Sequence, residues 1–143
     1  MCNHIKNEVS EYFSFLVEDY NFQQPITYNH VKEVYTDYIK NNIIISIGFD
    51  GGYTCGLYQT KIKNDDLLNG NIKIVNIDYK DLQFFDLTLL DKNKKINEST
   101  SHINEKVRNL VYYSTLLKNN PEILNGDLRK FSLWHNIKQI FKT

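Results

Sequence analysis

The sequence predicts an α+β domain with an N-terminal helix, an antiparallel β-sheet of four to five strands, and C-terminal helices packed on one face of that sheet. Three observations support this prediction. Residues 43–49 read Ile-Ile-Ile-Ser-Ile-Gly-Phe, with an apolar residue at every second position, as in a strand that buries one face. The Asp-Gly-Gly sequence at 50–52 suits a tight hairpin turn. Both ends of the chain carry apolar residues at helical spacing.

The N-terminal helix is predicted over residues 4–20, where apolar side chains recur at intervals of three and four. Asn21 and Pro25 end it. Residues 26–39 fit either a helix or two strands, but their Val, Tyr, Thr and Ile content favours strands. We therefore predict strands at 26–29 and 33–39. Asn41 and Asn42 then turn the chain into the strand 43–49, whose hairpin partner is 53–62.

The second half of the chain is predicted to begin with a polar loop at 63–70 and a further strand at 71–79. Residues 81–90 are densely apolar and fit a short helix or a final strand equally well. Residues 91–101 are polar and predict an exposed loop. Ser101 is predicted to cap a helix that ends before Pro121. A single turn is predicted at 121–124. Asp127 is predicted to cap a last helix that extends to Phe141. Because there is neither a repeat nor a linker, residues 1–143 are expected to form one domain.

Composition excludes several classes of protein. The sequence has 143 residues, no alanine, fifteen Lys against two Arg, and a net charge of zero. The codon bias that this implies indicates an AT-rich, bacterial genome. The charge is uneven, with −4 over residues 1–60 and +4 over residues 61–143. A nucleic-acid-binding domain usually carries a basic excess, and the net charge of zero argues against that class. The chain also has neither a membrane-length apolar run nor a secretory signal, so we expect a cytoplasmic protein without nucleic-acid or membrane partners.

The residue patterns do not predict a catalytic or metal site. Cys2 and Cys55 are far apart, and the four His residues are never three or four positions from one another, so the common metal-ligand spacings are missing. Cys55 lies in the middle of a predicted strand, where a thiol is usually buried and unreactive. Adjacent carboxylates diverge on a helix or strand and do not form an acid–base pair. We therefore expect a protein that is not an enzyme and that needs no metal or cofactor.

The predicted sheet offers a surface for a partner instead. Positions 44, 46, 48 and 50 would point away from the helices, and tyrosines on neighbouring strands would lie near that face or at its edges. Aromatic rings among small residues are typical of surfaces that bind proteins. The alternative is that a third layer, such as the terminal helix, covers this face. Together with the acidic excess of the first 60 residues, this predicts the following partner-binding residues: Glu18, Asp19, Tyr35, Tyr38, Asp50, Tyr53 and Tyr58.

Both ends of the chain resemble a kind of small bacterial protein. Residues 116–131, LLKNNPEILNGDLRKF, are similar to a C-terminal tail in which an "ILxGD" turn precedes the last helix. Residues 12–22, YFSFLVEDYNF, are similar to a first helix that ends in an "L…DYGF"-like phrase. Proteins with these features resemble immunity-like proteins found beside toxins. The resemblance covers about a third of the chain and brings no catalytic residues with it; it implies a protein partner.

We therefore expect a non-enzymatic cytoplasmic interaction protein, and the resemblance implies an immunity protein that neutralises a cognate toxin. The alternative is a small-molecule-binding or enzymatic domain with a pocket between sheet and helices. A cavity lined by convergent polar groups would favour that alternative, whereas a flat tyrosine face would favour the binding protein. A third possibility is a homo-oligomer whose copies pair through the sheet. No pattern in the sequence specifies the oligomeric state.

Overall fold

The structure is a computed structural model that describes residues 2–62 and 73–131 of the chain. The helices are α1 (Cys2–Phe13), α2 (Phe15–Tyr20), α3 (Lys95–Ser99), α4 (Glu105–Lys118) and α5 (Pro121–Leu124). The strands are β1 (Ile26–His30), β2 (Glu33–Lys40), β3 (Ile43–Phe49), β4 (Tyr53–Thr60) and β5 (Leu82–Phe85). Short 3₁₀ turns lie at Ile74–Asn76, Tyr79–Asp81, Leu87–Leu90 and Lys92–Lys94. The predicted α+β class is confirmed.

The five strands form one antiparallel sheet in the order β1-β2-β3-β4-β5. Each strand therefore lies beside the one that precedes it in the chain. The turn between β2 and β3 uses Asn41 at φ 53°, and the turn between β3 and β4 uses Gly51 at φ 104°, conformations that Asn and Gly adopt most readily. The predictions for β1, β2, β3 and the hairpin to β4 are confirmed.

The main core lies between one face of this sheet and the helices α1, α2, α4 and α5. Ile43, Ile45 and Ile47 point into it from β3 and are buried, as the alternation in the sequence predicts. Val9, Phe13 and Leu16 enter from the N-terminal helices, and Leu116 and Leu117 enter from α4. The helices thus occupy the predicted face.

The predicted helix 4–20 is interrupted at Ser14, which divides it into α1 and α2. The Ser14 N–H still donates to the Ser10 carbonyl at 3.0 Å, and the Ser14 carbonyl accepts from the N–H groups of Val17 and Glu18 at 3.1 and 3.0 Å. The chain therefore continues in almost the same direction through the break. Asn21 ends α2 in the left-handed conformation, with φ 62°, which is a common way for a helix to end.

The strand predicted at 71–79 is wrong within the described residues, because Ile74–Asn76 forms a 3₁₀ turn. Ile74 and Ile77 are three positions apart, so a turn places both on one side, where they pack against Ile39 and Ile44. The Ile74 N–H donates to the Asp37 carboxylate at 3.1 Å. This segment, residues 73–78, therefore lies across the second face of the sheet. The predicted loop at 63–70 and residues 71–72 lie outside the described residues.

Residues 81–90 and 91–101 form structures that differ from the predictions for them. Residues 81–90 contain both alternatives, because β5 is followed by the 3₁₀ turn Leu87–Leu90. The loop predicted at 91–101 is wrong, since α3 forms there. The carboxylate of Asp91 accepts from the N–H groups of Ile96 and Asn97 at 2.9 and 3.1 Å. Those bonds provide acceptors for N–H groups at the start of the helix, which have no partner within the helix itself. The helix has few apolar residues.

The C-terminal helices follow the prediction with a shifted start. Asn104, not Ser101, caps α4, and its Oδ1 accepts from the Lys106 N–H at 3.0 Å. The single turn at 121–124 is confirmed as α5. Asp127 Oδ1 accepts from the Arg129 N–H at 3.1 Å, as a cap would. The remainder of the last predicted helix, residues 132–141, lies outside the described residues.

Candidate functional site

Aromatic side chains from four strands lie on the second face of the sheet, opposite the helices. In the strand register, Tyr35 pairs with Tyr28 on β1 and with Gly48 on β3. Tyr58 pairs with Phe84 on β5, and His30 follows Tyr28 on the same side of β1. We name this surface the aromatic face, and it consists of Tyr28, His30, Tyr35, Tyr58 and Phe84. Two predicted binding residues, Tyr35 and Tyr58, therefore share one surface.

Two glycines form the floor beneath these rings. A Cβ atom at Gly48 would lie 3.3 Å from Cε1 of Tyr35, and one at Gly56 would lie 2.6 Å from Cε2 of Tyr58. Both rings thus lie across backbone that carries no side chain. Any larger residue at Gly56 would have to push the Tyr58 ring out of its position. The glycines let the tyrosines lie flat against the sheet instead of standing away from it.

The rings also hold one another in place. The centroids of Tyr28 and Tyr35 are 5.8 Å apart in a stacked arrangement, those of His30 and Tyr35 are 6.3 Å apart, and those of Tyr58 and Phe84 are 5.4 Å apart. These separations fall in the favourable range for aromatic pairs. Phe84 nevertheless remains 58% exposed, and Tyr35 and Tyr58 are half-buried. The face is therefore both ordered and accessible.

The hydroxyl groups of the aromatic face remain protonated at neutral pH. The Tyr35 hydroxyl donates a hydrogen bond to Glu33, and this bond, with burial as a second cause, raises the pKa of Tyr35 to about 12. Burial raises the pKa of Tyr58. The face thus offers neutral phenols next to apolar rings, a combination that suits protein contacts.

A buried polar network underlies one side of the aromatic face. Asp37 is only 2% exposed, and its carboxylate accepts from Ser46 Oγ at 2.7 Å, the Tyr28 hydroxyl at 2.5 Å and the Ile74 N–H at 3.1 Å. Lys73 Nζ lies 4.8 Å from the centroid of the Tyr28 ring. Burial raises the pKa of the Asp37 carboxyl group. The network fastens residues 73–78 to the sheet.

The second face is therefore partly covered, which corrects the expectation for positions 44 and 46. Ile44 and Ser46 do point away from the helices, but both are buried, and Ile44 packs under Ile74 and Ile77. The layer above them is the segment 73–78 and not the terminal helix that we considered. The uncovered part of the face lies around Tyr35, Thr54 and Phe84.

Tyr38 and Tyr53 do not lie on this face. Both are buried on the helix side of the sheet, where the Tyr53 hydroxyl donates to Glu8 Oε1 at 2.7 Å. The physical reason is that side chains alternate along a strand, so residues an odd number apart point to opposite faces. Tyr38 is three positions from Tyr35, and Tyr53 is five positions from Tyr58. The spacing in the sequence already contained this signal.

The three predicted acidic residues lie away from the aromatic rings. Glu18 and Asp19 are exposed on α2, on the helix side of the sheet, and Asp50 is exposed in the turn between β3 and β4. The sheet thus separates the acidic pair from the aromatic face, and the seven predicted residues do not form one patch. The structure does bring Glu18 and Tyr38 together, at a cavity between α1, α2 and β2.

Three residues of the aromatic face were not predicted from the sequence: Tyr28, His30 and Phe84. Tyr28 and His30 are two positions apart in β1, so the alternation of that strand places them together. Phe84 could not be assigned to a face, because residues 81–90 fit a helix as well as a strand. Register, which pairs Phe84 with Tyr58, is a tertiary property.

The thiol groups and the ligand-type side chains of the described residues can be located individually. Burial raises the pKa of the Cys55 thiol, so this thiol is protonated and a poor nucleophile at neutral pH. Residues 2–62 and 73–131 contain no cluster of three or more His, Cys, Asp or Glu placed to hold a metal ion. Over the same ranges no helix has the length and apolar character needed to cross a membrane.

Comparison of the chain with protein-family models, with curated proteins and with solved structures finds no match. The resemblance of the two chain ends to immunity-like proteins therefore stays a prediction.

Proposed function

We propose that this chain is a non-enzymatic protein-interaction domain that binds its partner through the aromatic face. The observation that carries the proposal is the row of partly exposed rings from Tyr35, Tyr58 and Phe84, held against the sheet over Gly48 and Gly56. Exposed aromatic residues at the centre of a surface are the usual anchors of protein interfaces. Phe84 exposes more than half of its surface to water, and burial of this apolar area against a partner would be favourable.

The shape of this face suits another protein better than a small molecule. The rings lie flat across glycines, so they form a broad surface and not a deep pocket. Because a five-stranded sheet and the Asp37 network fix the backbone and the rings beforehand, little conformational entropy is lost when a partner binds. The Tyr35 and Tyr58 hydroxyl groups place polar atoms among the apolar rings.

The partner class that we propose is a bacterial toxin, in the cytoplasm of the cell that makes both proteins. The support for this narrower statement is the resemblance of residues 12–22 and 116–131 to immunity-like proteins. Such a protein acts by burying a preformed patch against the toxin and masking its active site. Glu18 and Asp19 lie on the opposite side of the sheet, so a partner on the aromatic face would meet their charge only at long range.

The test begins with the protein encoded next to this chain. We expect the two purified proteins to form a complex in isothermal titration calorimetry, and co-expression to relieve any growth arrest that the neighbour causes alone. Phe84→Ala and Tyr35→Ala should each weaken the complex by about tenfold or more, as is typical of anchor residues. Both residues are partly exposed, so these variants should still fold.

Tyr20→Ala is the matched control, because Tyr20 is a half-buried aromatic residue of α2 on the helix side of the sheet. This variant should bind with unchanged affinity. Equal losses from Tyr20→Ala and Phe84→Ala would show that the aromatic face is not the binding surface. Turnover of a substrate by the purified protein, unaffected by Phe84→Ala, would contradict the proposal that the chain acts by contact alone.

A further inference from the structure

A second feature, on the other side of the sheet, has the character of a ligand site. A cavity of about 260 Å³ lies where α1 and α2 meet the sheet at β2. Most of its lining side chains are polar, although the surrounding layer is the main core. Its lining includes Lys6, Ser10, Ser14, Glu18 and Tyr38. Small-molecule sites typically combine an apolar wall with a few convergent polar groups of this kind.

Tyr38 is the central residue of this cavity. Its side chain is 1% exposed and its ring packs against Phe13, with centroids 6.4 Å apart. Among the described residues its hydroxyl group has no hydrogen-bond partner, yet the hydroxyl oxygen is not one of the fully enclosed polar atoms. Tyr38 also lines the cavity. A buried hydroxyl without a partner is unfavourable unless something else supplies one.

Two serines line the same space, the exposed Ser10 and the half-buried Ser14. Ser14 occupies the break between α1 and α2, but its side chain makes no capping hydrogen bond. The backbone groups of both residues take part in the helix, since the Ser14 N–H donates to the Ser10 carbonyl and the Ser14 carbonyl accepts from the N–H groups of Val17 and Glu18. Within the part of the chain that the structure describes, both hydroxyl groups are thus free to bind a ligand.

A positive and a negative side chain lie at the two ends of this serine pair. Lys6, Ser10, Ser14 and Glu18 follow one another at intervals of four, so they form one stripe along α1 and α2. Twelve residues of helix separate the α-carbons of Lys6 and Glu18 by at most roughly 18 Å. A ligand that pairs with both residues therefore needs a negative group at one end and a positive group at the other. An extended tripeptide spans roughly 10 Å, and the two long side chains cover the rest.

We propose that the cavity binds a short linear peptide of two or three small residues with free ends. Its carboxylate pairs with Lys6 and its ammonium group pairs with Glu18, which fixes the direction of the peptide along the stripe. The hydroxyl groups of Ser10, Ser14 and Tyr38 bind the peptide groups between the two ends. This site is independent of the aromatic face, because the sheet lies between them.

The test uses triglycine as the probe, with amide chemical shifts in α1 and α2 as the readout. Unmodified triglycine should perturb residues around Ser14 and saturate. Acetylation of its amino end should weaken binding about tenfold in the natural protein and should have no further effect in Glu18→Gln. Amidation of its carboxyl end should behave in the same way with Lys6→Gln. No perturbation at millimolar triglycine, or equal effects of both blocking groups in all variants, would overturn the proposal.

Tyr38→Phe distinguishes a ligand-binding hydroxyl from a structural one. It removes a single oxygen that has no partner in the described fold, so the unfolding midpoint in urea should stay the same or rise while triglycine binding weakens several-fold. Tyr28→Phe is the matched control, because it removes a hydroxyl that Asp37 binds. That variant should lower stability and leave triglycine binding unchanged. A Tyr38→Phe protein that is destabilised but binds normally would show that the hydroxyl belongs to the fold.

Discussion

At the scale of single residues, Asp37 gives the fold a dependence on pH. Burial raises the pKa of its carboxyl group above that of an exposed Asp, so the native state favours the protonated form. Its contribution to stability is therefore fully present below the usual Asp pKa and is lost as pH rises through the raised native pKa. The three donors around the carboxylate, from Tyr28, Ser46 and Ile74, reduce this effect without reversing its direction.

The Asp37→Asn variant tests this dependence. Asn stays neutral at every pH, so the stability of the variant relative to the natural protein should increase as pH rises above the usual Asp pKa of about 4. A constant difference from the altered hydrogen bonds will add to this trend. Urea denaturation at a series of pH values measures it. Parallel stability curves for the two proteins would show that Asp37 is not the titrating group.

Val31 is a residue whose conformation conflicts with its type. It forms the turn between β1 and β2 with φ 57° and is 87% exposed. A left-handed conformation costs about 1–2 kcal/mol for a residue with a Cβ atom. Because Val31 buries almost nothing, we expect Val31→Gly to raise the free energy of unfolding by about 1 kcal/mol.

The control for this prediction is Val31→Ala, which keeps a Cβ atom and most of the strain. Chemical denaturation of the two variants separates relief of strain from loss of an exposed apolar group. If Ala stabilises as much as Gly, backbone strain at position 31 is not the cause. A gain from Gly alone would mean that the exposed valine is retained at the expense of stability, which is typical of a functional position.

At the scale of elements, one carboxylate binds the start of the helix at residues 95–99. Asp91 accepts from two N–H groups of α3 and from the Tyr112 hydroxyl at 3.1 Å, which ties α3 to α4. We expect Asp91→Ala to lower the free energy of unfolding by about 1–2 kcal/mol, as for the loss of a helix cap. Amide hydrogen exchange in α3 should accelerate more than in α4.

Lys92→Ala provides the comparison, since Lys92 is the exposed neighbour of Asp91. It should change neither stability nor exchange by a measurable amount. Unchanged exchange in α3 after Asp91→Ala would mean that contacts with α4, and not the carboxylate, hold the helix.

At the scale of the whole molecule, the two faces of the sheet should unfold as one unit. Ile45 lies in the main core, and Ile44, the next residue, lies in the smaller cluster with Ile74 and Ile77. A shared backbone makes these clusters cooperative, as expected for the predicted single domain. Ile45→Ala should cost about 2–5 kcal/mol and Ile44→Ala somewhat less.

The measurement is urea denaturation followed by far-ultraviolet and near-ultraviolet circular dichroism. Each variant should show one transition, at the same midpoint by both signals and lower than that of the natural protein. A separate early transition in Ile44→Ala, with the main transition unmoved, would show that residues 73–78 detach from the sheet independently.

Much of the architecture can be read from short-range patterns. The alternation at 43–49, the Asn41–Asn42 turn and the Asp-Gly-Gly turn predict the central hairpins, because a pleated strand alternates its faces and tight turns require particular residues. The α+β class follows from these patterns and from the helical spacing at both ends. Local rules failed at 74–76, where Asp37 binds the Ile74 N–H from a strand far away in the sequence. They also failed at 95–99, where Asp91 binds the N–H groups of Ile96 and Asn97 across the intervening turn Lys92–Lys94.

The candidate sites required the tertiary structure. The sequence alone determined that Tyr35 and Tyr58 would lie on strands, and alternation could have separated them from Tyr38 and Tyr53. Only the register placed Phe84 beside Tyr58, and only packing of α1 and α2 against β2 enclosed the Tyr38 hydroxyl with Ser14 and Glu18. The physical reason is that hydrogen-bonding pattern and side-chain period act between near neighbours, whereas a surface or cavity depends on which distant elements share a face.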